Sequence, residues 1–375
     1  MNRPRLLAVS TTVSWPIRDG FTLRIDGLLR ELAREWDITF VGLCRDGCNP
    51  DFPPEVRFVP VPKTDPAFLA NEEERAALIR IATEATCDAE PEAVLLWTGP
   101  SRVISRAFGP IVVVDLVDCG TLYLWREFRA TRGIIERLRL LLSLGWFARA
   151  EGRIGREASA VVTVGEADAR VLRRLIRRDN VHVVPNGVRI PDPSAADRDE
   201  KPTVVFTGVM GYPPNVEAVL WFAREVWPSV RRDVPDAVFA VAGRDPIPEI
   251  QRLADQPGIE ILGAVPDMTV ILRRAWVAVA PMRSGTGIKN KVLEAWAAGT
   301  PVVMTPLAAN GLGTSRAILD MVRGDPVELA RLTVSLLTDT ARRDEAGAAA
   351  LEMARERSWA AVAAPLSALL LQAAR

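Results

Sequence analysis

Histidine and lysine are nearly missing from this chain. Its 375 residues hold one histidine, His182, and four lysines, Lys63, Lys201, Lys289 and Lys291. Four cysteines (Cys44, Cys48, Cys87 and Cys119), with one imidazole to assist them, give neither a disulfide framework nor a zinc motif. That cysteine usage suits a reducing cytoplasm. No apolar run approaches the ~20 residues of a membrane span. The N-terminal apolar run, in "MNRPRLLAVSTTVSW", is about six residues long and reads as a first strand rather than a signal peptide. Charge of one sign is missing too: Lys+Arg and Asp+Glu both number 47. A dedicated nucleic-acid binder is therefore not expected, and any electrostatic message is local.

What the chain does have is a rhythm. Short β-branched runs alternate with amphipathic segments of helix length. "RLLAVS", "DITFVGL", "VRFVPV", "AVLLW", "IVVVDL", "AVVTV" and "VHVVP" read as strands of a first parallel sheet. "TVVFTG", "AVFAVAG", "IEILG", "VAVAP" and "PVVMT" read as strands of a second. Between them lies a Pro-rich, charged stretch without period, which reads as a linker. The expected organisation is a first domain over 1–185, a linker over 186–202, a second domain over 203–357, and a terminal helix over 358–375, broken at Pro365, that packs back on the first domain. Ligands of such sheets bind beyond the carboxyl ends of the strands, in a cleft between the two domains.

Two of the four lysines stand together in "SGTGIKNKVLEAW", behind a Gly-x-Gly that follows a strand and opens a helix closed by Gly299. A lysine in the first helical turn opposes the dipole by about 0.3–1 kcal/mol. An anion bound at that end removes the conflict, because free amides and a compact ammonium both suit phosphate. Lys289 and Lys291 reach one phosphate pair together only if Lys289 keeps loop geometry. Gly285 and Gly287 allow a ligand to approach the backbone. Glu294, on the face of Lys291, can accept hydrogen bonds from a ribose diol. The same spacing equally fits a surface loop and an amphipathic helix with a Lys291–Glu294 ion pair.

"VAVAPMRSGTGIKNKVLEAWAAGTPVVMT", "TVVFTGVMGYPPNVEAVLWF" and "AVFAVAGRDP", taken in order with the N-terminal "SWPIRDGFTLRIDGLLRELA", resemble the GT-B glycosyltransferases of the retaining family GT4. The likeness is to the bacterial sugar transferases with "M-x-Y-x-P-N" after the first strand of the second domain, here Met210 to Asn215. It implies an α/β fold of two Rossmann-like, doubly wound parallel-sheet domains facing a central cleft. It also implies a nucleotide-diphosphate sugar donor (UDP- or GDP-linked), a hydroxyl acceptor, retention of configuration, and neither metal nor prosthetic group. Carried over by position, Glu294 matches the second glutamate of the family's E-x7-E motif. Gly285, Thr286, Gly287, Ile288 and Lys289 match the loop that meets diphosphate and sugar. Gly208, Met210 and Asn215 fall on the first strand's loop, and Arg244, Val265 and Met268 fall where the base is held. The chain departs from the pattern twice. Thr286 replaces the first glutamate of the motif, and "GVMGYPPN" lacks the Arg and Lys that usually hold the diphosphate. Lys289 and Lys291 could supply that charge, acting on the leaving group.

In the first domain the resemblance points to Asp19 and Gly20 as the acceptor-side loop, although Asp-Gly is also an ordinary turn; Arg24, one turn into the following helix, is expected either to reach an anionic acceptor or to be a solvated surface arginine. Asp118, at the carboxyl end of "IVVVDL", is the candidate for orienting an acceptor hydroxyl, with Asp115 beside it read as a loop cap. His182 reads as structural. From Arg126 to Arg178 thirteen arginines face six acids around "LLLSLGWF". This basic amphipathic stretch offers either a peripheral contact with the inner face of a membrane or a core-packed helix with a solvated face. Two further readings stay open: a sugar-nucleotide epimerase of the same architecture, and an inactive nucleotide-sugar-binding paralogue, raised by Thr286.

Overall fold

The computed structural model describes residues 3–17, 19–44, 48–64, 71–85, 90–97, 111–192, 198–285 and 287–374. It divides into two units, Met1–Gly187 with Trp359–Arg375, and Val188–Ser358. All twelve apolar runs chosen from the sequence are strands.

The first unit holds β1 (Arg5–Val13), β2 (Asp37–Cys44), β3 (Val56–Pro62), β4 (Ala93–Trp97), β5 (Val112–Val117), β6 (Ala160–Thr163) and β7 (Val181–Val183). They form one sheet in the order β3-β2-β1-β4-β5-β6-β7, with every pair parallel. Parallel sheets are covered on both faces, and the pleat shows it. Leu6, Ala8, Leu95 and Val113 enter one core cluster, whereas Leu7, Val9, Leu96 and Val114 enter another.

The helix Gly20–Leu32 and the terminal helix Trp359–Ala373 cover the first of these faces. Trp36 Nε1 donates to Ser367 Oγ at 2.9 Å, tying the terminal helix down. Gly27 makes room for the Trp359 indole, since a Cβ there would lie 2.3 Å from the ring. The expected break at Pro365 does not occur. The helix runs through it, with the proline on the exposed side, where the carbonyl left without an N–H partner faces solvent.

The second unit holds β8 (Thr203–Thr207), β9 (Val238–Ala242), β10 (Ile259–Gly263), β11 (Val277–Ala280) and β12 (Val302–Met304). Their order is β10-β9-β8-β11-β12, again all parallel. β8 and β9 are buried along their whole length. From β8 the chain builds outward through β9 to β10, then returns to β8's other side for β11. That reversal opens a crevice at the carboxyl ends of β8 and β11.

Candidate functional site

The crevice of the second unit is built around glycines. Gly208 follows β8 and Gly243 follows β9, with φ of +152° and +150°. A Cβ on Gly243 would lie 1.6 Å from the Gly208 carbonyl oxygen, so the two strand ends touch through backbone alone. A Cβ on Gly208 would meet Asn215 Nδ2 at 2.6 Å and Lys291 Nζ at 3.1 Å. From β11 the chain passes Pro281 to Lys289 and enters the helix Asn290–Ala297. Gly285 and Gly287 turn it at φ +98° and +71°, in the region that side chains disfavour. Thr286 lies outside the described residues. Thr305, after β12, anchors the start of the loop by donating its hydroxyl to Met282 O at 2.6 Å. Ser284 donates to Glu217, and Arg283 lies over the Trp221 ring at 5.3 Å.

The helix begins at Asn290, after both glycines and Lys289. Lys289 is its N-cap in extended conformation (φ −86°, ψ 92°), with no side-chain cap bond. It thus keeps the loop geometry that sharing a ligand with Lys291 would require. Its ammonium turns back over the loop, donating to Gly287 O at 3.1 Å. Lys291 sits in the first helical turn. Its Nζ donates to Asn215 Oδ1 at 2.7 Å and lies 3.8 Å from the centre of the Phe206 ring. Burial pushes the Lys291 ammonium down to about 7; Glu294 pulls it back up, and the positive charge of Lys289 lowers it further. Burial in turn raises the Glu294 carboxyl, against the pull of Lys291. Two lysines thus flank the positive end of one helix, and the charge of one disfavours the charge of the other. An anion there relieves both conflicts. The helix ends on Gly299, at φ +74°, as its C-terminal turn requires.

The remaining residues of the second unit divide. Asn215 is buried, and both ends of its amide are used: Nδ2 donates to Val209 O at 2.9 Å while Oδ1 holds Lys291. Its side chain thus holds the lysine to the loop after β8. Met210 is wholly buried in the core, so its side chain is turned away from the crevice. Ile288 and Met268 pack against the core, as does Val265. Arg244 is exposed beside Gly243 and pairs with Asp245 at 3.0 Å.

In the first unit, Asp19 is the N-cap of the helix that Gly20 opens, accepting from Thr22 N at 2.7 Å and Ser14 Oγ at 3.0 Å. Gly20 is exposed. Arg24 departs from the expectation that it reaches an anionic acceptor. It is fully buried, with Nε on Asp115 Oδ2 at 2.7 Å and Nη1 on Asn186 Oδ1 at 3.1 Å. Asp115, also buried, accepts from Trp97 Nε1 at 3.0 Å as well. The two form a structural ion pair, because an arginine one turn into this helix points at the sheet. Asp118 is exposed just past Val117, whose φ is +61°. His182 is half-buried, and burial lowers its pKa.

Sequence reading missed Gly243, Phe206 and Glu217. The first was findable, because in "TVVFTG" and "AVFAVAG" alike a glycine follows the strand. The other two meet Lys291 and Ser284 only through the fold.

The family described as "Glycosyl transferases group 1" matches residues 201–339. A phosphatidyl-myo-inositol mannosyltransferase of Mycobacterium leprae is 30% identical over 201 residues, which is 49% of this chain and 51% of that protein. The chain thus spans about half, or less, of the curated relatives it matches. Among solved structures, a sucrose-phosphate synthase of Thermosynechococcus elongatus superposes with a TM-score of 0.71 at 15% identity, covering 99% of both chains. HepE of Anabaena, solved with UDP and glucose, superposes at 0.62 and 14% identity, covering 99% of this chain and all of that one. The two parallel-sheet units therefore have the fold of the GT-B glycosyltransferases.

Proposed function

We propose that the protein is a glycosyltransferase that moves a sugar from a nucleotide-diphosphate donor to a hydroxyl acceptor. One observation carries this reading: Lys289 and Lys291 flank the start of Asn290–Ala297, a helix end with no side-chain cap, at the reversal point of the second sheet, with Glu294 one turn on. The diphosphate lies against the amides at Gly285 to Lys289. The ribose diol donates to Glu294, whose raised carboxyl regains charge as Lys291 becomes fully protonated. Arg244 and the 265–268 turn face the base. As the glycosidic bond breaks, negative charge grows on the leaving phosphate, where the two ammonium groups and the helix end stabilise it most. That phosphate takes the acceptor's proton, so the reaction retains configuration and calls for neither a histidine base nor a metal. In the first unit, the Asp19–Gly20 loop and Asp118 serve the acceptor.

The donor is a UDP- or GDP-sugar, and the enzyme works in the cytoplasm. Calorimetric titration with UDP, GDP, ADP and dTDP tests the site, with Glu294→Ala alongside. Selective binding that the variant loses supports the donor site; equal affinity in both rejects it. Donor hydrolysis or transfer that survives EDTA supports metal independence. Isomerisation of the donor without acceptor would favour an epimerase. Binding without any turnover would favour an inactive paralogue.

A further inference from the structure

The helix Ile134–Glu157 has two apolar faces. One, through Leu140, Leu144 and Phe147, is partly covered. The other carries Ile134, Ile135, Leu138, Leu141, Leu142 and Trp146, with exposures from 49% to 86%. On a helix of 3.6 residues per turn these six fall within an arc of about 140°. On the adjacent helix Gly120–Ala130, Trp125 is exposed as well. The six side chains of the stripe stay exposed among the described residues, which is unusual for a protein that is free in water.

The hairpin is a built object. At its base Glu151 accepts from Gly120 N at 2.6 Å, Thr121 N at 3.2 Å and the Thr121 hydroxyl, so the long helix caps the short one. A Cβ on Gly120 would lie 2.6 Å from the Phe147 ring, so the helices meet closely there. Toward the tip, Trp125 stacks on Phe128 at 5.8 Å, and the Arg137 guanidinium covers Phe128 at 4.5 Å.

Charge identifies the occupant. Between residues 120 and 149 six arginines (126, 129, 132, 137, 139 and 149) face two acids, Glu127 and Glu136, and all eight are exposed. We propose that this hairpin rests on an anionic bilayer. Its aliphatic stripe and Trp146 would lie at the acyl boundary, and its arginines among the lipid phosphates. Tyrosine and tryptophan are the side chains that favour that boundary. A second copy is the poorer occupant, because self-pairing would bring arginine-rich rims together. The inference does not rest on the transferase reading, since vesicle binding needs no turnover.

Flotation of the full chain with phosphatidylcholine vesicles, with and without about one-third phosphatidylglycerol, tests it. The protein floats with the anionic vesicles and stays behind with the neutral ones, and raised salt releases it. Leu138→Glu/Leu142→Glu lowers the bound fraction about tenfold or more. Arg129→Glu/Arg132→Glu lowers it by roughly fivefold or more for each charge lost. Both variants keep the wild-type melting curve, because all four side chains are exposed. They also keep nucleotide affinity. Equal binding to both vesicle types, no binding to either, or indifference to both pairs of substitutions overturns the proposal. So does a dimer in sedimentation velocity that Leu138→Glu/Leu142→Glu turns into a monomer. Vesicle binding by a protein that takes no nucleotide would leave the anchor standing and sink the donor site alone.

Discussion

Lys291 Nζ lies 2.7 Å from Asn215 Oδ1, and this contact holds an ammonium over an aromatic ring where burial has brought its pKa to about 7. A bound diphosphate favours the protonated lysine and lifts that value. Nucleoside-diphosphate affinity should therefore be greatest below about pH 7 and fall as pH rises, by up to about tenfold per unit. The phosphate's own second ionisation, near 6, lies below this window. Lys291→Arg stays charged throughout and should bind with a flat profile between pH 7 and 9.5. Calorimetry across that range decides it; a flat wild-type profile would remove Lys291 from the ligand.

The same lowered pKa has a stability consequence with a definite sign. The unfolded lysine holds its proton up to about 10.5, the folded one only to about 7. Between these values the unfolded chain binds more protons, so the ligand-free protein gains stability as pH rises. Lys291→Met, which cannot be protonated, should lose that gain in denaturant titrations at pH 7 and 9.5.

Glu294 runs the other way. Its carboxyl is raised by burial, so its charged form destabilises the free protein as pH climbs above the ordinary value of 4.5. Glu294→Gln should melt higher than wild type at neutral pH, yet bind nucleotide about 10–100-fold more weakly, since a charge-assisted hydrogen bond is lost. A lower melting point together with unchanged affinity would contradict both halves.

Gly243→Ala should be among the most damaging small substitutions in the second unit. The new Cβ would fall 1.6 Å from the Gly208 carbonyl, at a backbone φ of +150°. Backbone cannot yield as a side chain can, so a loss above about 3 kcal/mol is expected in chemical denaturation. Gly263→Ala, with nothing within 4 Å and φ +64°, should cost only about 1 kcal/mol.

Gly27→Ala tests the seat of the terminal helix. The methyl would press on the Trp359 ring at 2.3 Å, and overpacking of this kind costs about 1–3 kcal/mol. Trp359→Phe in the same chain should recover part of the loss, because the smaller ring frees the space. An additive double variant would mean that the clash is relieved elsewhere.

The sequence by itself determined the strands. Runs such as "AVLLW" and "TVVFT" are almost wholly apolar or β-branched, with no charge, because both faces of a parallel sheet are buried, and that signal is local. It also marked the lysine pair behind Gly285 and Gly287, because a cation at a helix N-terminus conflicts with its surroundings whatever the fold. Local pattern could not say where side chains went. Arg24 looked as solvent-ready as any helical arginine, but Asp115 and Asn186, 91 and 162 residues away, take it into the interior. Asn215 stands in a loop motif in the sequence, and only the fold brings Lys291, 76 residues on, to its side-chain oxygen. The "LLLSLGWF" stretch reads the same whether its apolar residues are covered or bare. Only the packing of Ile134–Glu157 divided them between Leu140, Leu144 and Phe147 and the exposed stripe. Periodicity depends on neighbours along the chain, whereas pairing and exposure depend on what tertiary structure brings near.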